Sequence, residues 1–132
     1  MTRIIQVINS LSALITLTPA TQTQIADAEL QLRVRFSNEY KEYLASYGSI
    51  MADGIELSGI AKSEHRNVVS LTKKEWDLNP KIPHSMYVVE NTCVDGIIIW
   101  QDASGSIYQS SPSTDPKQVA KSLADYLSSR AK

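Results

Sequence analysis

Between residues 86 and 110 the chain alternates short apolar runs with turn signals. Residues 86–91, 97–101 and 106–110 are each too short for a stable helix and the right length for strands. Asp95-Gly96 and Asp102-x-x-Gly105 lie between them, and glycine at such positions supplies the positive φ that tight turns demand. The pattern predicts a three-stranded antiparallel meander. Its central strand, Ile97-Ile98-Ile99-Trp100, is apolar throughout and is expected to be covered on both faces.

Upstream the apolar period is that of helices. Ile4, Ile8, Leu11 and Ile15, with Val7 and Leu14 alongside, predict an amphipathic helix ending before Pro19. Thr21-x-x-Gln24 has capping-box spacing and opens a second helix, to about Leu32. Ser37 caps a third, with Glu39 in its positive first turn, Tyr40, Tyr43, Leu44 and Tyr47 on one face, and Gly48 as its stop. Ile55 and Leu57 then alternate with Glu56 and Ser58 between two glycines, which predicts a strand. Thr72-x-x-Glu75, flanked by Leu71 and Trp76 at staple positions, predicts a short helix that stops before Asn79-Pro80. Asp115 and Pro116 suit the cap and first residue of a closing helix, with Val119, Leu123, Tyr126 and Leu127 on its buried face.

This order favours an α+β fold, an antiparallel sheet with helices packed on it, over alternating βαβ units. Residues 1–132 match one domain, and no repeat or linker divides them. Hydrophobic residues are 42%, charged residues 20% and the net charge is -1, so the chain lacks the basic field that binds nucleic acid phosphates avidly. Residues 4–17 are apolar after Arg3, but Gln6, Asn9, Ser10 and Ser12 interrupt them and Thr18-Pro19-Ala20-Thr21 is a poor cleavage site. A cleaved leader is therefore not expected. No run approaches the roughly 18–20 apolar residues that span a bilayer, so a soluble chain is expected.

Catalytic constellations fail on residue supply. His65 and His84 lack the close spacing of paired metal ligands, and one cysteine, Cys93, cannot complete a zinc site. Cys93 is expected to pack as a small core residue, His84 to be exposed, and a dyad between them has no local support. No phosphate loop, dinucleotide fingerprint or nucleophile elbow is present. No cofactor is expected. Candidates for a partner-binding surface are the carboxylates Asp53, Glu56, Glu64, Glu90, Asp95 and Asp102, which would offer a negative patch to a basic partner. Asp95 and Asp102 also suit turns, where the carboxylate accepts backbone N–H groups. Trp76 and Tyr108 are the aromatic candidates, interface hot spots favouring such residues, while Trp100 and the tyrosine stripe suit packing.

Two stretches carry a family resemblance. One is the helix holding Ile25 and Glu29 followed by Phe36-Ser37-Asn38-Glu39-Tyr40-Lys41-Glu42-Tyr43-Leu44, with Gly48 beyond. The other runs from Asp95-Gly96 through the Ile-rich strand and Asp102-x-x-Gly105-x-Ile107-Tyr108 to Val119-Ala120-x-Ser122-Leu123-x-x-Tyr126-Leu127. Together they resemble the SMI1/KNR4, or SUKH, superfamily, although Phe36-Ser37 stands where the family usually has Leu-Pro. Many bacterial members are immunity proteins against polymorphic toxins. The resemblance implies a cytoplasmic, non-catalytic protein that occludes a cognate toxin domain, a basic nuclease being the type the carboxylates would suit. It implies no direct nucleic acid, membrane or small-molecule partner. The alternative it leaves open is a regulatory scaffold that docks on a cellular enzyme. A third possibility, a hydrolase using Cys93, predicts thiol-dependent turnover.

Overall fold

In the computed structural model, which describes residues 2–130, helices and short strands follow one another along the chain. The N-terminal half holds α1 (Arg3–Asn9), β1 (Ile15–Thr16), α2 (Gln22–Leu32), α3 (Asn38–Tyr47), β2 (Ile50–Ala52) and β3 (Ile55–Glu56). The C-terminal half holds α4 (Val68–Leu78), β4 (Tyr87–Asn91), β5 (Ile98–Gln101), β6 (Ile107–Ser110), β7 (Lys117–Ala120) and α5 (Leu123–Arg130). Strands β1-β2-β3 form one antiparallel sheet and β4-β5-β6-β7 another, giving the expected α+β class. The two sheets meet where Leu57 bridges Glu90 and the Ser58 N–H donates to the Val89 carbonyl.

Local chemistry explains the N-terminal helices. The Thr21 box closes in both directions, with Gln24 N–H to Thr21 Oγ1 at 3.1 Å and Thr21 N–H to Gln24 Oε1 at 2.9 Å. Ser37 Oγ accepts the Tyr40 N–H at 3.0 Å, and Gly48, at φ +71°, ends α3 as expected. A side chain at Gly48 would also strike the Thr18 carbonyl, and one at Gly59 the Gly48 carbonyl. The glycines thus let three backbone segments stack.

The larger core packs Ile4, Ile8, Ile25, Leu32, Tyr40, Tyr43, Leu44, Leu123 and Leu127 against Val89, Ile99 and Ile107 of the sheet. A smaller cluster of Leu71, Ile82, Met86, Val88, Ile98 and Trp100 covers the opposite sheet face. The meander's central strand is therefore buried on both sides, as its apolar run predicts. The core is partly polar. Gln101, fully buried, accepts from Tyr87 Oη (2.8 Å) and Ser37 Oγ (3.0 Å), and donates to the Gly105 carbonyl and to Glu39.

Three expectations are corrected. The first helix stops at Asn9, where Ser10 turns its N–H and hydroxyl onto the Val7 carbonyl, and Ile15, 54% exposed, pairs with Met51 as β1. The helix near Thr72 begins earlier, at Val68, because Asn67 Oδ1 accepts from Val69 and Ser70 N–H. Thr72 is mid-helix and accepts the Val88 N–H, while Trp76 stacks on His84 at 4.1 Å instead of closing a staple. Finally, Asp115 and Pro116 precede a strand. Residues 117–120 pair with β6 as β7, making a fourth strand, and α5 begins at Leu123. Two acceptors hold its start: Ser122 Oγ takes the Asp125 N–H, and the Glu39 carboxylate takes the Leu123 and Ala124 N–H groups at 2.7 and 3.0 Å.

Candidate functional site

An open groove of about 920 Å³ lies where α5 crosses one end of the four-stranded sheet. Buried Ile99 and its cross-strand partner Gln109 lie beneath it; Tyr126, Ser129 and Arg130 of α5 line it from the helix; Thr92 and Val94 of the β4–β5 loop, and Val119 of β7, complete the lining. The β6–β7 register passes from Ile107↔Ala120 to Tyr108↔Gln118, leaving Val119 as an extra, bulged residue. Such a bulge re-aims a side chain. Val119 is 45% exposed and Val94 57%, so the groove carries uncovered apolar groups.

An ionic triad built on a buried carboxylate supports the groove. Glu90 on β4, 2% exposed, accepts from Tyr126 Oη at 2.5 Å and Arg130 Nη1 at 2.6 Å, while its other oxygen receives the Glu56 N–H at 3.4 Å. Arg130 also donates to Tyr126 Oη and, through Nη2, to the Gly54 carbonyl. Burying a carboxylate is costly unless it is paired and hydrogen-bonded, and here both conditions hold. Burial first, then the Glu90 hydrogen bond and charge, push the Tyr126 phenol above its ordinary range and keep it a donor. Burial works against the Arg130 charge, but Glu90 and Tyr126 together outweigh it and hold the guanidinium above its usual value. The triad ties the end of α5 to β4 and the β2–β3 hairpin. Such a site offers a shaped, braced contact surface.

The sequence-predicted candidates scatter. Asp53 and Arg130 line a small hollow together, and Glu56 sits 3.8 Å from the Arg66 Nε. Glu90, expected in an exposed acidic patch, is instead buried in the triad. Glu64 is exposed in the loop before α4, and Asp95 is exposed beside Val94 with no side-chain partner among the described residues. Asn91 holds that turn instead, its Oδ1 accepting the Cys93 N–H. Asp102 lies at the other end of β5, where its carboxylate accepts from Ser104, Ser106 and Tyr108 as its turn role predicts. Tyr108 packs half-buried against the smaller core, and half-buried Trp76 touches both cores.

Cys93 is exposed, not packed in the core. It and His84 stand at opposite ends of β4, whose five residues span about 16 Å, and His84 is engaged with Trp76. No dyad forms between them. Among the described residues no acidic, histidine and cysteine cluster is arranged to hold a metal, and no helix is long and apolar enough to cross a membrane. A second hollow of about 960 Å³ lies between residues 16–19 and 60–66. Its apolar lining is half-buried Leu17 and Ile60 with exposed Pro19.

Val94, Val119 and Arg130 escaped the sequence-based expectation. Ser122-x-x-Asp125, a capping spacing, would have placed α5 correctly and released Val119 from its assigned helix. Nothing local pairs Arg130 with Glu90, forty positions away.

A family model described as SMI1-KNR4 cell-wall matches residues 1–131. A crystal structure of a protein from Pseudomonas syringae pv. tomato superimposes with a TM-score of 0.70 at 19% identity, over 94% of this chain and 92% of that one. That likeness is one of fold. No curated protein matches the chain. With nearly every residue inside the family model, the chain belongs to the SMI1/KNR4 (SUKH) family.

Proposed function

We propose that this chain is a cytoplasmic immunity protein that binds one cognate toxin domain and blocks its active site or the path of its substrate. The toxin role comes from the family, in which interaction and immunity proteins are common. The observation that carries the binding part is the groove, where Val94 and Val119 stand exposed over a braced, fully paired triad. Uncovered apolar groups on a rigid support suit protein contact, and neutralisation by occlusion needs an interface of roughly 1,200–2,000 Å² in total. Exposed Asp53, Glu56, Glu64 and Asp95 would draw in a basic nuclease. Binding alone accounts for this role, with neither turnover nor cofactor.

The family's association with the cell wall favours a second reading, a scaffold that docks on a cellular enzyme. Co-expression with the toxin domain encoded immediately upstream separates the two. Cell survival together with a co-eluting complex supports immunity; death without a complex, repeated across neighbouring toxin genes, removes it in favour of the scaffold.

A further inference from the structure

We propose that the groove beside α5 seats a segment of the partner in which an aliphatic side chain is flanked by carboxylates. This deepens the binding role above and rests on it. The aliphatic group enters between Val94 and Val119; the carboxylates meet Lys117 and Lys121.

Three observations carry the assignment. The groove's uncovered apolar side chains, Val94 and Val119, are aliphatic, so its centre rewards burial of a similar group. Its lining acid Asp125 is already engaged with Arg3, as is the buried Glu90 beneath with Arg130. Its lysines are not: Lys121 lines the groove, Lys117 is the cross-strand partner of the lining residue Gln109, and neither side chain has a partner among the described residues. The exposed acids next to the lining are Asp95, beyond Val94, and Asp53, beside Gly54, and neither belongs to β7. The unpaired charge along β7 is therefore positive, and its complement is a carboxylate. Strand addition is disfavoured, because the edge strand β7 is short, bulged at Val119 and begins with a lysine. A helix or loop laid in the groove avoids that obstacle.

The test titrates the isotope-labelled full chain with two synthetic amphipathic peptides that share a leucine face and differ in carrying glutamate or lysine on the polar face. Saturable amide shifts at Val94, Val119, Lys121 and Ser129 are expected with the glutamate peptide, and weaker ones with the lysine peptide. Lys121→Glu should weaken the glutamate peptide by about fivefold and reverse the preference. Val119→Ser should weaken both by about tenfold. Val94→Ser gives the same readout if Val119→Ser disturbs the bulge. Equal binding of both peptides, shifts centred on Trp76 and Tyr108, or no saturation at millimolar peptide would overturn the proposal.

The same variants are then co-expressed with the toxin domain. Lost co-elution with Lys121→Glu or Val119→Ser supports the groove, whereas unchanged protection and co-elution sink the groove assignment and leave immunity standing. If the unmodified chain binds no neighbouring toxin, the immunity reading fails, and the peptide titration still decides the chemistry of the groove.

Discussion

Replacing Glu39 with alanine should loosen the helix that lines the groove, although Glu39 lies in a different helix and 84 positions from Leu123. Its carboxylate accepts the first two α5 N–H groups at 2.7 and 3.0 Å, and Gln101 Nε2 at 2.9 Å. Those helix donors have no acceptor of their own within α5, and the helix N-terminus is partially positive. A hydrogen bond to a charged group is worth about 1.5–3 kcal/mol, and loss of a cap costs about 0.5–2 kcal/mol. The three bonds share one side chain and are not additive, so about 3 kcal/mol is expected in total. With a urea m-value of about 2 kcal/mol/M, the midpoint should fall by about 1.5 M. Glu39→Gln keeps one acceptor oxygen and should lose about half as much. Hydrogen exchange should show Leu123 and Ala124 losing protection first. Glu42→Ala, half-buried on the same helix with no side-chain bond among the described residues, controls for helix propensity. If Glu39→Ala lowers the midpoint no more than Glu42→Ala does, the account of how α5 is held is refuted.

Arg130→Met leaves Glu90 buried without its cation and should cost about 3–5 kcal/mol in urea unfolding, most of it regained by adding Glu90→Gln; equal costs for the single and double variants would contradict the triad. Gly59→Ala places a methyl carbon 1.9 Å from the Gly48 carbonyl oxygen and should abolish the native circular dichroism, whereas Gly54→Ala, at φ +72° but with nothing within 4 Å, should cost only about 1 kcal/mol. Burial holds the Tyr40, Tyr43 and Tyr87 phenols above their ordinary value, although hydrogen bonds to neighbouring groups pull each of them partway back. The unfolded chain thus releases those protons first as pH passes about 10, so the stability they contribute is whole below that pH and falls above it, by about 1.4 kcal/mol per phenol at pH 11. A urea midpoint that holds constant from pH 9 to 11 would argue against this. Cys93 should react with a thiol reagent at the rate of an exposed cysteine in the native state, and Cys93→Ala should leave complex formation unchanged.

What the sequence determined by itself was local. Thr21 with Gln24, Ser37 with Tyr40, and Asp102 with Ser104 and Ser106 place donor and acceptor within four positions, so these caps and turns were legible in the sequence. The apolar run at residues 97–100 likewise foretold a strand covered on both faces, because such a run has no polar side to turn to water. Tertiary structure decided the elements whose local signals compete. Thr72-x-x-Glu75 spells a capping box, yet Thr72 is drawn into a helix already begun at Asn67 and spends its hydroxyl on Val88. Asp115-Pro116 spells a helix start, yet ladder bonds to β6 claim residues 117–120 as an edge strand, and the helix waits for Ser122 and the distant Glu39. The candidate site belongs to this second class. Its triad joins Glu90, Tyr126 and Arg130 across as many as forty positions, and Val119 enters the groove through a bulge that exists because β7 pairs with β6. Contacts closed over such separations leave no period or spacing in the chain, because it is the packing of α5 across the sheet that creates them.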